Sequence, residues 1–269
     1  MKKKVIVIGR TWKFVEFLIP TIESILKFNN RNEMSIVVLE NKSTRTDIIE
    51  DYCIRMLRDK NIDGYVQSNR NVFEDIGRTT ETFLDFIKQH EYMILTDLDI
   101  KVDNIENWID KLICVMNGGQ NIGTVSIDFH PMMPYSSGFQ YIEDFKMKEK
   151  DFWEMPTDSL FSLVRTQDYI NFVEGGGNGK FGNGGMNSYL TSIGKKMGRT
   201  NIKGYHYGWL RMSDEYKYSY AESIGKQLTE KDNHLYCDHQ HKDYGIDLKD
   251  FKYFGNIYNH SVTTIPITI

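Results

Sequence analysis

Short uninterrupted apolar runs alternate along this chain with longer stretches in which apolar residues recur every three or four positions. Val5-Ile6-Val7-Ile8, Ser35 to Leu39, Gly64 to Gln67, Tyr92 to Thr96 and Gly123 to Ile127 are of the first kind. Their length and β-branched content predict strands, the most apolar of them buried on both faces. Between the first two, Phe14, Leu18, Ile22, Ile25 and Leu26 keep helical spacing over 14–28, with Pro20 expected to kink or restart that helix. Helices are also expected over about 45–58, where Thr44 and Asp47 resemble a capping box, and over 79–89 and 104–116. This regular alternation predicts an α/β fold, a parallel sheet with helices on both faces.

After His130 the pattern loosens. Residues 131–156 are rich in aromatics, methionine and charge, as a substrate-covering excursion would be. Strand character returns over 158–164, followed by a helical turn over 167–173 and a glycine-rich loop over 175–185. Residues 186–197 read as a helix, 201–207 as a strand carrying His206, and 213–231 as a polar helix. The tail, 232–269, is aromatic and irregular and ends in the β-prone stretch 262–269. No internal repeat or low-complexity linker interrupts the chain. It reads as one domain over 1–269, with a nucleotide-binding part to about 103, an acceptor-side part over 104–231 and the tail.

Composition narrows the function. The 269 residues are 40% hydrophobic and 13% aromatic, ample for a core. A net charge of −4 argues against a general nucleic-acid binder, which carries a basic face. Lys2-Lys3-Lys4 is a small basic cluster, at most a weak peripheral contact with an anionic membrane surface. No apolar run reaches the length of a transmembrane span. Cys53, Cys114 and Cys237 are far apart and lack CxxC spacing, which suits buried thiols in a reducing, cytoplasmic setting. Cys237-Asp238-His239-Gln240-His241 carries metal-capable side chains but lacks the paired ligands of a structural zinc set.

The strand over 92–96 ends in two carboxylates one residue apart, Asp97 and Asp99. In α/β proteins the carboxyl ends of parallel strands face the ligand crevice. Two acids there repel unless a cation lies between them, and hard cations take carboxylate and phosphate oxygens. The triplet therefore suggests a metal holding a diphosphate; taken alone it is equally a solvated turn. Gly9-Arg10-Thr11 closes the first strand with one glycine, too little for a dinucleotide fingerprint, though the turn would let backbone N–H groups approach a nucleotide.

Five segments in order resemble the GT-A glycosyltransferases, particularly the family-2-like group. The resemblance spans about residues 4–210. Val37-Val38-Leu39-Glu40-Asn41-Lys42-Ser43-Thr44 resembles the stretch in which an acid and its neighbour receive the nucleotide base and ribose. Asn71 with Gly77 is similar to an Asn-x-Gly loop, and Thr96-Asp97-Leu98-Asp99 to the Asp-X-Asp that holds a divalent metal. Asp158 to Arg165 resembles a strand of some bacterial and phage members, and Gly204-Tyr205-His206-Tyr207-Gly208-Trp209 a His-x-x-Trp segment after the last core strand.

The resemblance implies a GT-A fold, Rossmann-like with a mostly parallel central sheet flanked by helices. It implies a metal-dependent transferase that moves a sugar from a nucleoside-diphosphate sugar, UDP-sugar favoured, to a glycan, lipid-linked or other hydroxyl acceptor. Mn²⁺ or Mg²⁺ would be held by Asp97, Asp99 and His206, and Gly9, Arg10, Thr11, Glu40, Asn41, Asn71, Arg78 and Asp97 would receive the donor. Two departures stand out. Glu40 replaces the usual Asp, and Gly184-Gly185 stands where inverting members carry an acidic pair. Asp158 and Asp128 are then the candidate bases for an inverting reaction, whereas a retaining front-face mechanism needs none. The alternatives are a non-catalytic nucleotide-sugar-binding module and a sugar-nucleotide nucleotidyltransferase.

Overall fold

The computed structural model describes residues 3–11, 15–41, 46–68, 76–119, 121–129, 152–154, 157, 161–175, 185–206, 251–255 and 264–265. Strands β1 (Val5–Thr11), β2 (Met34–Asn41), β3 (Gly64–Ser68) and β4 (Tyr92–Asp97) stand in the order β3-β2-β1-β4, all parallel. Helices α1 (Val15–Phe28) and α2 (Thr46–Arg58) form the first two crossovers, as alternating strand and helix patterns require. Buried side chains alternate along β1. Val5 and Val7 join a core with α1, α2 and α5 (Trp108–Gly118), while Ile6 and Ile8 join a second core on the other face. That second core takes Phe83 and Ile87 at α4 (Leu84–Ile87), Tyr169 and Phe172 of α6 (Thr166–Glu174) and Leu190 of α7 (Met186–Ser192).

The remaining strands turn the sheet mixed. Strands β6 (Ile122–Phe129) and β9 (Lys196–His206) pair in parallel, and β8 (Ser162–Arg165) lies antiparallel between β4 and β6. Leu163 of β8 stands opposite Ile94 on one side and Val125 on the other. Strands β5 (Ile100–Val102) and β7 (Phe152–Glu154) pair antiparallel with β9. In the tail, β10 (Phe251–Gly255) adds to the β3 edge antiparallel, and β11 (Thr264–Ile265) pairs with β10.

Several expected elements differ in physical detail. Pro20 lies inside α1, which runs through it; packing of Leu18, Ile22 and Ile25 against the sheet outweighs the lost bond to the Glu16 carbonyl. The helix expected over 79–89 is two short ones, α3 (Ile76–Glu81) and α4. Between them the Thr82 hydroxyl donates to the Thr79 carbonyl at 2.6 Å and competes with the helical ladder. Helix α5 begins at Trp108, later than the expected 104, because Asn107 takes a left-handed conformation and the Ile109 N–H donates to the Asn29 side chain. Helix α7 stops at Ser192, and Gly194 at φ +75° turns the chain into β9. Cys53 is buried and Cys114 exposed; Cys237, the polar helix expected over 213–231 and the cluster at 237–241 lie outside the described residues. Among the described residues no helix is long and apolar enough to cross a membrane.

Candidate active site at the carboxyl end of the central strands

Parallel pairing brings the ends of β1, β2 and β4 to one edge of the sheet. Arg10 stands opposite Asp97, and Thr11 opposite Glu40. Arg10 and Asp97 lie two positions beyond Ile8 and Leu95, so both extend the face of the second core. The Arg10 Nη2 is 2.6 Å from the Asp97 Oδ1. Burial pushes the Asp97 carboxyl above its ordinary range, Arg10 opposes that, and the neighbouring Asp99 adds to it.

After Asp97 the chain turns. The Leu98 N–H donates to the Arg10 carbonyl at 2.7 Å, and the Leu98 side chain enters the first core. Asp99 then comes to rest beside His206, because β5 starts at Ile100 directly opposite His206 on β9. The Asp99 Oδ2 is 3.5 Å from the His206 Nδ1, with the two side chains 20% and 14% exposed. Burial pushes Asp99 up to about 7 and His206 down to about 4, so neither group gains charge readily in this setting. The Asp99 Oδ1 is buried and has no hydrogen-bond partner. A buried carboxylate oxygen left unsatisfied calls for an explanation, and a role as a cation ligand is one.

Metal fit can be read from these groups. Among the described residues no three His, Cys, Asp or Glu side chains converge closely enough to hold an ion by themselves. Asp97 is engaged by Arg10, which leaves Asp99 and His206 as the adjacent pair. Mg²⁺-type sites are commonly built from one or two protein carboxylates, with substrate phosphates supplying the rest. An imidazole beside the carboxylate suits Mn²⁺. The pair fits a divalent ion whose coordination a diphosphate completes.

On the β2 side, Glu40 is 1% exposed and accepts from the Tyr65 hydroxyl. Gln67, opposite Glu40 in register, donates to the Tyr65 oxygen at 3.2 Å and to Glu50 on α2 at 2.9 Å. Burial, and next the Glu40 carboxylate, push the Tyr65 phenol well above its ordinary range, which keeps it a proton donor. The order of residue types along β3 carries a signal for this network, since Tyr65 and Gln67, two positions apart, lie on one face of the strand. Asn41 is buried at the end of β2, opposite Ser68.

Asp128 is 4% exposed and held between Arg199, at 3.2 Å, and Lys203, both on β9. Asn71 and Asp158 lie outside the described residues, as does the side chain of Arg78 on α3.

No protein-family model matches the chain, and no curated protein matches it by sequence. Solved structures do match. A mannosyltransferase from Pyrobaculum calidifontis, in complex with GDP-Man and Mn²⁺, superposes with a TM-score of 0.55 at 10% identity over 83% of this chain. GalNAc-T7 with UDP, GalNAc and Mn²⁺ gives 0.54 at 14% identity over 86%. The chain spans 62% and 52% of the lengths of those two proteins. Strand order, helices on both faces and these two superpositions together show that the chain has the GT-A glycosyltransferase fold.

Proposed function

We propose that this protein is a nucleotide-sugar-dependent glycosyltransferase that uses a divalent cation, Mn²⁺ or Mg²⁺, with a UDP-sugar as the favoured donor. The observation that carries the reading is the Asp99–His206 pair at the carboxyl end of β4, with one Asp99 oxygen buried and unpartnered. The Mn²⁺ and nucleotide in the two structural neighbours support it.

In this reading Asp99 and His206 hold the cation, and Asp97, fixed by Arg10, faces the same donor end of the sheet. A bound cation would act as a Lewis acid toward the departing diphosphate. Arg10 contributes a permanent positive charge close by, and Arg78 is assigned to the diphosphate as well. Gly9, Thr11, Glu40, Asn41 and Asn71 receive the nucleoside, with Glu40 held in one orientation by Tyr65.

The acceptor in this reading is a hydroxyl, of a glycan, a lipid-linked glycan or another molecule. For an inverting reaction a carboxylate must take its proton within hydrogen-bond reach. Asp128 already serves two cations on β9, so we assign that role to Asp158. Membrane attachment through the basic start is expected to be slight, since Lys3 pairs with Asp63 at 2.8 Å and Lys4 with Asp110 at 3.4 Å.

The test is a thermal-shift panel of UDP-, GDP-, CMP- and dTDP-sugars, each with and without Mn²⁺. A ligand that binds only the native state raises the midpoint. A rise with one nucleotide that requires Mn²⁺ supports the reading. No rise with any donor, together with no donor hydrolysis, overturns it.

A further inference from the structure

The residue between the two acids is the more informative one. Leu98 is 1% exposed, and its side chain occupies the space where a Cβ on Gly9 would stand. A Cβ built at Gly9 would lie 2.4 Å from both Leu98 Cγ and Cδ2, and 2.7 Å from Cδ1. Those separations are far inside van der Waals contact, so any larger residue at position 9 must displace Leu98. The branch carbon is among the clashing atoms, so a rotation of the terminal methyls alone does not relieve it.

Leu98 is also tied through its backbone, by the N–H that donates to the Arg10 carbonyl at 2.7 Å. Its two chain neighbours take different ion-pair partners within one cluster. Asp97 faces Arg10, and Asp99 faces His206. One buried side chain and one backbone bond thus anchor the turn that joins the two carboxylates.

We propose that Gly9 and Leu98 form a positioning pair, a socket and its plug, that sets the geometry of the Asp97–Asp99 turn for cation binding. This rests on the reading of Asp99 and His206 as cation ligands. It gives Gly9 a packing role beside its place among the residues that receive the nucleoside. Neither residue touches the cation; both act through the turn.

The experiment titrates Mn²⁺ alone into wild type, Gly9→Ala, Leu98→Ala, Leu98→Met and the double variant Gly9→Ala/Leu98→Ala. Free Mn²⁺ is read by electron paramagnetic resonance, and each titration is run well below that variant's own thermal midpoint. Groups that orient metal ligands typically change affinity by about 10–100-fold when altered, so Gly9→Ala and Leu98→Ala are each expected to weaken binding about tenfold or more. Leu98→Met, which keeps volume, stays within a few-fold of wild type. The double variant binds more tightly than Gly9→Ala, because removing the Leu98 branch makes room for the new methyl; such coupling is the signature of two residues in contact.

If Gly9→Ala does not fold, the two Leu98 variants decide the matter: loss in Leu98→Ala with retention in Leu98→Met supports the pair. Wild-type affinity in Leu98→Ala, or a double variant no better than a folded Gly9→Ala, overturns the positioning pair alone. No Mn²⁺ binding by wild type, either with Mn²⁺ alone or with UDP present to supply its diphosphate, removes the cation site itself, and the pair with it.

Discussion

Arg10 and Asp97 face each other in register across β1 and β4, with Nη2 2.6 Å from Oδ1, so one of the two acids of the Asp-X-Asp already has a resident cation. Asp99 has instead a histidine neighbour and an unsatisfied buried oxygen. The two carboxylates, one residue apart in sequence, therefore differ in their direct partners, although the Arg10 charge acts on both.

That difference predicts unequal substitutions. Asp99→Asn is expected to abolish the Mn²⁺-dependent rise in thermal midpoint. Asp97→Asn should retain part of it while lowering stability by about 1–3 kcal/mol, the cost of depriving a largely buried guanidinium of its charged partner. Calorimetric titration with Mn²⁺ and chemical denaturation of both variants check this; equal loss of Mn²⁺ response would show that both acids ligate directly.

Cation binding should depend on pH in a stated direction. Asp99 is pushed up to about 7, and a cation needs it ionised, whereas His206, pushed down to about 4, is already neutral. Below pH 7 the cation must displace a proton, so affinity should fall about tenfold per pH unit down to the range where His206 also protonates. Without metal, the raised Asp99 value favours the folded state below its unfolded value near 3.8, a contribution lost as pH rises through about 7. Mn²⁺ titrations between pH 5.5 and 8, in buffers of different ionisation enthalpy, read both the affinity and the released proton.

A second pH effect lies away from the site. The His90 Nδ1–H donates to the Phe86 carbonyl at 3.0 Å, and in the neutral ring the Nε2, 2.8 Å from the Ser35 hydroxyl, accepts from it. Burial lowers the His90 value below its ordinary 6.5. Its contribution to stability is then present above pH 6.5 and lost as pH falls through the lowered value. Denaturation midpoints of wild type and His90→Gln, compared from pH 7.5 to 5, should converge as the pH falls.

The two candidate bases separate by what each substitution disturbs. Asp128→Ala leaves Arg199 and Lys203 without their shared carboxylate and is expected to destabilise by about 3 kcal/mol, the low end for breaking a buried pair, since Lys203 is partly exposed. Asp158→Asn should lower turnover while donor affinity stays intact. Normal turnover in Asp158→Asn would remove it as the base.

Much of the fold is legible in the residue pattern, because local patterning encodes local structure. Continuous apolar runs marked β1, β2 and β4, period-3.6 spacing marked α1 and α5, and a run ending in Asp97 and Asp99 marked a strand end facing a crevice. The strands β5, β7 and β10, of three to five residues, are not legible, since they lie outside the regular strand–helix alternation that marked the equally short β3.

Contacts between distant residues were decided only by the tertiary structure. Nothing near Asp97 in the chain indicates Arg10, nothing near Glu40 indicates Tyr65, and nothing near Gly9 indicates that Leu98 fills the space above it. Such pairs depend on strand order and register, which are settled by burying both faces of the whole sheet at once. The antiparallel placing of β8 between β4 and β6 is likewise a matter of the whole sheet. The sequence by itself determined the strand ends and the kinds of group placed there; only the packed sheet decided which of those groups meet.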